Sequence, residues 1–359
     1  MKKIFLFTLS FTHCFGSTLS TPAKTVSLRD LKEISYTKCQ DRTQLLLPKF
    51  PLASSEDSSW ENPMIPETFI VSIPKGQIHS NDIVLVDNCL VKELLWRWSS
   101  LKTNFLDLNH LSKPEHVEGK VAVISQEGHS NYYHWMVEVL PKLALLEQQH
   151  ISYDWLYVPT NLPFMRQTLH LLGVSQEKIL ATSPDAHIEA DLIVPSAPSL
   201  SCYTPKWIVD YLREKLIPQS KQISSKQSFS KKIFISRQKA SYRRILNEDE
   251  VFDLFKVEGF VRYNLEDLTV LEQISLFHQA DIIVAPHGAG LVNLLFAQPC
   301  VLIIELFQEH EDDTFWYLSQ VMGLKHHCVQ TTAFKKGGGY TDTIIPLSLI
   351  EDVIDRFIR

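Results

Sequence analysis

The chain has 359 residues, 45% apolar and 21% charged, with 12 glycines, 18 prolines and a formal net charge of −6. That length holds one large or two ordinary domains, and the composition excludes fibrous, collagen-like and disordered classes. A net negative charge excludes bulk electrostatic attraction to nucleic acid, so any cations that matter act locally.

Lys2 and Lys3 precede a run from Ile4 to Thr12, interrupted by His13, in the form of a signal peptide's charged and apolar regions. Gly16, Ser17 and Thr18 offer a loose cleavage site, and the run is much too short to span a bilayer as a helix. The compartment stays open: cytoplasmic or peripheral to a membrane on one reading, secretory or envelope if the segment is a signal peptide. Residues 20–80 read as irregular, because Pro51, Pro63, Pro66 and Pro74 interrupt every pattern.

Beyond them, strands are predicted at 82–86, 121–124, 155–158, 179–180 and 188–194, alternating with helices at 132–149, 163–172 and 206–215. A polar, nearly featureless stretch follows. The second half repeats the alternation, with strands at 232–236, 259–263, 282–285 and 301–304. Its helices are predicted from 247, over 268–279, 291–296 and 315–323, and finally over 348–358, after a glycine-rich loop at Gly337–Gly339. Continuous apolar strands of this kind suit a buried parallel sheet, and the class is α/β. The expected divisions are an irregular region 1–80, an α/β domain 81–215, a linker 216–230, a second α/β domain 231–345 and a terminal helix 346–359.

Cys14, Cys39, Cys89, Cys202, Cys300 and Cys328 are too scattered for a C-x-x-C zinc or dithiol centre. Cys300, which opens an apolar run, is expected in the core.

Two constellations carry chemistry. Lys231, Lys232, Arg237, Lys239, Arg243 and Arg244 follow one another with no intervening acid. Arg237 comes just after a strand end, where open α/β sheets present ligand groups, and its planar fork suits phosphate. A solvated basic edge is the competing reading. Ala285–Gly290 links a strand to a helix but has neither the dinucleotide fingerprint nor the Walker A spacing. Gly288, Ala289 and Gly290 would still admit a ligand to the backbone, and His287 could donate to a phosphate oxygen. Glu305, at the next strand end, is expected to face the same cleft and bind sugar or ribose hydroxyls. In the first half, His129 and Asn131 precede His134 and Glu138, which are four apart and share a helix face. A carboxylate or imidazole there could take a proton from a hydroxyl, or the pair could simply brace the helix. The H-E-x-x-H zinc spacing is absent.

On Asn131–Pro141, Ile235–Arg237 with Arg243–Asn247, and Gln273–Asn293 running into Phe296, the chain resembles glycosyltransferase family 61 over roughly residues 120–310. The resemblance implies a GT-B-like fold, with two Rossmann-like domains facing across a cleft and a C-terminal helix packing back. It implies an inverting enzyme that needs no metal or other cofactor, with a nucleotide-sugar donor and a glycan or glycoconjugate acceptor as partners. Arg237, Arg243, His287, Gly288, Ala289 and Gly290 would then line the donor, with Glu305 nearby. The base would come from His129, His134 or Glu138, with Glu138 the first choice. A non-catalytic nucleotide-sugar or glycan-binding protein of the same fold is the alternative.

Overall fold

The computed structural model describes residues 24–46, 48, 50–52, 63–80, 82–95, 111–224, 228–308, 312–331 and 341–359. The N-terminal leader, Cys14 and the loop at Gly337–Gly339 lie outside the described residues.

The chain is α/β and is built on two main sheets. The first is mixed and nine-stranded. Its longest strand, Thr68–His79, corrects the expectation that residues 20–80 are irregular. Pro74 lies inside that strand because pairing with His187–Pro195 slips between Ala190 and Leu192. At the slip Lys75 turns to φ +50° and donates its N–H to Asp191 at 3.2 Å. A residue without an N–H is tolerated at such a bulge.

Next to His187–Pro195, the sheet continues in parallel through Glu115–Val123, Trp155–Val158 and Ile179–Ala181. The chain leaving Glu115–Val123 enters a buried helical segment: Tyr132–His134, a π-turn at Trp135–Val139, then Pro141–Gln148. Asn131 caps it, accepting from the Tyr133 N–H at 2.9 Å. Pro141 has no N–H to return to the preceding turn, and the Leu140 N–H instead reaches back five residues to Trp135 O at 3.0 Å.

The second sheet has five strands, all parallel, in the order Val261–Tyr263, Lys232–Ile235, Ile282–Pro286, Leu302–Phe307, Lys325–Gln330. Numbered along the chain this is 2-1-3-4-5. The order reverses between Lys232–Ile235 and Ile282–Pro286, the switch point where open α/β sheets bind ligands.

The helix predicted at 206–215 runs from Lys206 to Ser224, through most of the stretch expected as a linker. It touches both halves. Its Tyr211 hydroxyl donates to Glu147 at 3.1 Å, and Arg213 donates to Leu295 O and Ala297 O at 2.6 and 2.9 Å. One buried apolar cluster joins Leu156 and Ile193 of the first sheet to Ile233, Ile283 and Ile303 of the second. The last helix, Leu347–Phe357, packs Ile350, Val353 and Ile354 among Phe255 and Val251. Cys300 is exposed in a turn at φ +66°, not in the core as expected, and all five described cysteines are free thiols. Among the described residues, no helix is long and apolar enough to cross a membrane.

A polar contact also joins the halves. The Tyr132 hydroxyl donates to Asn293 Oδ1 at 3.2 Å, and Asn293 Nδ2 donates to Gln273 Oε1 at 2.9 Å and Gly290 O at 3.1 Å. Asn293 is wholly buried. Asn293→Leu orphans several buried groups at once and should cost roughly 3–5 kcal/mol, whereas Tyr132→Phe should cost only about 1 kcal/mol. Urea unfolding of the two variants reads the difference, and equal costs would deny Asn293 this central place.

Candidate active site

Arg237 leaves the end of strand Lys232–Ile235 at the switch point. Glu248, buried in the first turn of helix Glu248–Val257, accepts the Ser236 hydroxyl at 2.5 Å and the Arg237 N–H at 3.0 Å. The Arg237 guanidinium donates through Nε to Arg243 O at 3.2 Å and through Nη2 to Tyr242 O at 3.0 Å. Its remaining nitrogen lies on Gly288, where a Cβ would sit 1.9 Å from Nη1. The glycine is therefore required by close approach, since its backbone is extended and open to any residue. Gly290 is similarly filled by Leu265, whose Cδ1 would be 2.6 Å from a Cβ. Burial lowers the Arg237 pKa to about 10, with the neighbouring Arg243 charge adding to the effect. It remains a cation at neutral pH.

The predicted helix after the glycine turn is a 3₁₀ helix, Ala289–Phe296. The Leu291 N–H returns to Gly288 O at 2.9 Å. The Ala289 and Gly290 N–H groups precede that first intrahelical bond.

The basic cluster divides once folded. Lys231 faces Asp281 at 3.6 Å, Lys232 donates to Glu258 O at 2.9 Å, and Lys239 pairs with Asp267. Arg244 is clasped by Asp342 through Nε at 2.9 Å and Nη2 at 2.5 Å, while its backbone N–H meets the other carboxylate oxygen at 2.9 Å. Arg237 lies on the glycine turn, and Arg243 is close enough for its charge to act on Arg237. They flank Tyr242, whose ring is 5.9 and 5.1 Å from the two guanidinium carbons.

His287 follows strand Ile282–Pro286, and its Nδ1 is 2.6 Å from Glu305 Oε1. Glu305 has no exposed surface, which corrects its expected place in the cleft: it stands behind His287. Its second oxygen is 3.0 Å from His326 Nε2. On its other side, His287 Nε2 is 3.7 Å from Asp312 Oδ2. Burial pushes the Glu305 carboxyl above its usual range, opposed by His287, and drives His326 down to about 3. Glu305, His326 and Cys328 bring one ligating atom each within 4.8 Å of one another. Three donors are one short of a closed zinc set, and the positive Arg243 acts on Glu305 as well.

On the first sheet's side, His134 Nδ1 is 2.9 Å from Glu138 Oε1, and Gln126 donates to Glu138 Oε2 at 2.7 Å. Side-chain exposure is 20% for His134 and 2% for Glu138. The carboxylate is therefore walled in, and the imidazole is the member that meets solvent. His129 is half-buried, its Nδ1 2.8 Å from Gln126 O. Phe315 links the two constellations, with its ring 5.7 Å from Tyr133 and 5.2 Å from His287.

Residues 132–304 match the family model described as Glycosyltransferase 61. This stretch belongs to glycosyltransferase family 61. It contains the His134–Glu138 pair, Arg237, Arg243 and the glycine turn, and ends one residue before Glu305. The chain is also similar to EGF domain-specific O-linked N-acetylglucosamine transferases. The Mus musculus protein is 31% identical over 100 residues, which is 26% of this chain and 19% of the relative. The Canis lupus familiaris protein is 27% identical over 121 residues, 32% of this chain and 23% of the relative. The Drosophila melanogaster protein is 30% identical over 99 residues, 26% of this chain and 18% of the relative. The chain thus spans less than a quarter of the length of each of these relatives.

Sequence reasoning missed Glu248, His326, Asp312 and the Tyr132–Asn293 contact. Glu248 reads as one of three acids in a helix's first turn, and nothing local says that it turns inward. His326 lies on strand Lys325–Gln330, which was not predicted. Asp312 follows a strand end in an acidic run, a signal that could have been used.

Gly288→Ala should cost about 1–3 kcal/mol by displacing Arg237, and most of that cost should vanish in an Arg237→Ala background. Urea unfolding of the double-mutant cycle reads the coupling, and additive effects would deny the contact. Nearby, burial and then Asp312 raise the Asp313 pKa from 3.8 to about 7, with Tyr203 donating to it at 3.0 Å. A pKa raised on folding stabilises at low pH, and that stability is lost as pH rises through the folded value. Stability should therefore fall between about pH 4 and pH 7, and Asp313→Asn should flatten that decline in denaturant titrations.

Proposed function

We propose that the chain transfers a sugar from a nucleotide-sugar to an acceptor hydroxyl, with the donor diphosphate bound at the switch point of the five-stranded sheet. The observation that carries this reading is the Arg237 guanidinium laid on Gly288, beside the first N–H groups of Ala289–Phe296 and inside the family 61 stretch. The arrangement is read as GT-B-like, with the donor on the five-stranded sheet and the acceptor beside the helical segment that begins at Tyr132.

Arg237, Arg243 and the N–H groups of Gly288, Ala289 and Gly290 would take up the charge that grows as the diphosphate leaves. His287, braced by Glu305, would donate to a phosphate oxygen. These cations and donors make a metal-independent reaction the simplest reading. His134 is the better base, because Glu138 is buried with one oxygen against His134 and the other accepting from Gln126. Glu138 would then orient the imidazole and stabilise its protonated form, the part a carboxylate plays in a triad. The acceptor oxygen bonds to the anomeric carbon as the carbon–oxygen bond to the diphosphate breaks, and its proton passes to His134. A single displacement of this kind inverts the anomeric centre.

These relatives are named for EGF domain-specific transfer of O-linked N-acetylglucosamine. An N-acetylglucosamine donor and a protein or glycan hydroxyl are therefore the first pair to screen. Once a donor is found by thermal shift, Arg237→Ala should lower kcat/KM by on the order of 10²–10³ and remove the donor-induced shift. His134→Ala should lower kcat by on the order of 10²–10⁴ while the donor still binds. Wild-type turnover by the first variant would remove the diphosphate assignment, and by the second would move the base elsewhere.

A further inference from the structure

Behind His287, two buried acceptor atoms face each other. His326 Nδ1 is 2.7 Å from Ser319 Oγ, and the Ser319 hydroxyl donates its own hydrogen to Phe315 O at 2.8 Å. Ser319 Oγ therefore accepts from His326, the hydrogen sits on Nδ1, and a neutral His326 carries a lone pair at Nε2. That nitrogen is 3.0 Å from Glu305 Oε2, with both side chains wholly buried. Neither atom has a hydrogen-bond partner among the described residues. An ionised Glu305 would set its lone pairs against those of the imidazole, where no water relieves the repulsion. A proton between them turns the clash into a hydrogen bond.

We propose that His326 is a positioning residue that holds Glu305 in its protonated, uncharged form, so that His287 has no anion behind it. The Glu305 O–H donates to His326 Nε2, and its carbonyl oxygen accepts from His287 Nδ1–H. The consequence for binding rests on the donor-side reading above. A diphosphate beside His287 Nε2 brings negative charge, and His287 takes one proton from solvent to become a donor on that side.

Asp312, 3.7 Å from His287 Nε2, favours the added proton. Arg243 favours an ionised Glu305, but burial outweighs it and the carboxyl stays raised. Burial and Glu305 hold the Cys328 thiol far above its usual range, so it adds no charge. Burial, then His326 and Arg356, lower His327, the neighbour on the same strand.

Infrared difference spectra of the full chain, wild type against Glu305→Gln, read the carbonyl stretch of a protonated carboxylic acid. Nitrogen-15 NMR of labelled histidine reads the His326 tautomer. The acid signal should be present at pH 7 with His326 protonated on Nδ1 alone. It should be lost in His326→Phe and kept in His326→Gln, whose amide oxygen can still accept. Calorimetry with inorganic pyrophosphate in buffers of different ionisation heat should show uptake of about one proton per bound anion in the wild type, and a much smaller uptake in His326→Phe. An ionised Glu305, a doubly protonated His326 or a stoichiometric metal ion between them would overturn the assignment. Failure of pyrophosphate to bind while the acid signal persists would instead overturn the donor-side reading.

Discussion

A guanidinium resting on a glycine is the contact on which the switch point depends. Arg237 can occupy that place only because Gly288 has no side chain, and it is held there by two carbonyls in the loop at 242–243. The loop is fixed in turn from a distance. Arg244 is clasped by Asp342, and Asn247 exchanges hydrogen bonds with the backbone of Ile345 at 2.8 and 2.9 Å. Glu248 anchors the start of the same segment beneath Ser236 and Arg237. Each of these polar groups satisfies another that would otherwise be buried unpaired, so the cation's position is enforced by the penalty for leaving any of them unmade.

Helix 206–224, a shared apolar cluster and the Tyr132–Asn293 hydrogen bond hold the two halves together. That joint matters chemically, because the His134–Glu138 pair and the His287–Glu305 pair come from different sheets. Each is an imidazole backed by a carboxyl group with almost no exposed surface. In both, the acid is more deeply buried than the histidine it touches. On the proposed reading, base and donor-side partner are built by the same device, and the Phe315 ring meets both Tyr133 and His287.

Much of this was legible beforehand. Apolar runs such as Ile282–Ala285 and Val301–Ile304 are buried on both faces, so local composition alone was enough to read them as strands. Strand Thr68–His79 is not legible locally because Pro74 ordinarily forbids one, and only the slipped pairing with Ala190–Leu192 makes room for it. Strand Lys325–Gln330 begins with a lysine and two histidines, a polar opening with no apolar run, and it forms because it borders Leu302–Phe307. Cys300 is the opposite case: an apolar neighbourhood in sequence becomes an exposed turn.

The sequence by itself determined the α/β alternation, the glycine turn after a strand, the His134–Glu138 spacing and the resemblance to family 61, because each of these is local. Only the tertiary structure decided that Arg237 lies on the glycine turn while Lys239 and Arg244 pair with distant acids. Asp342 lies 98 residues from Arg244, and Asp267 lies 28 from Lys239, so no window of sequence shows either pair. It also decided that Glu305 stands behind His287, since burial and hydrogen-bond partnership are properties of the packed chain.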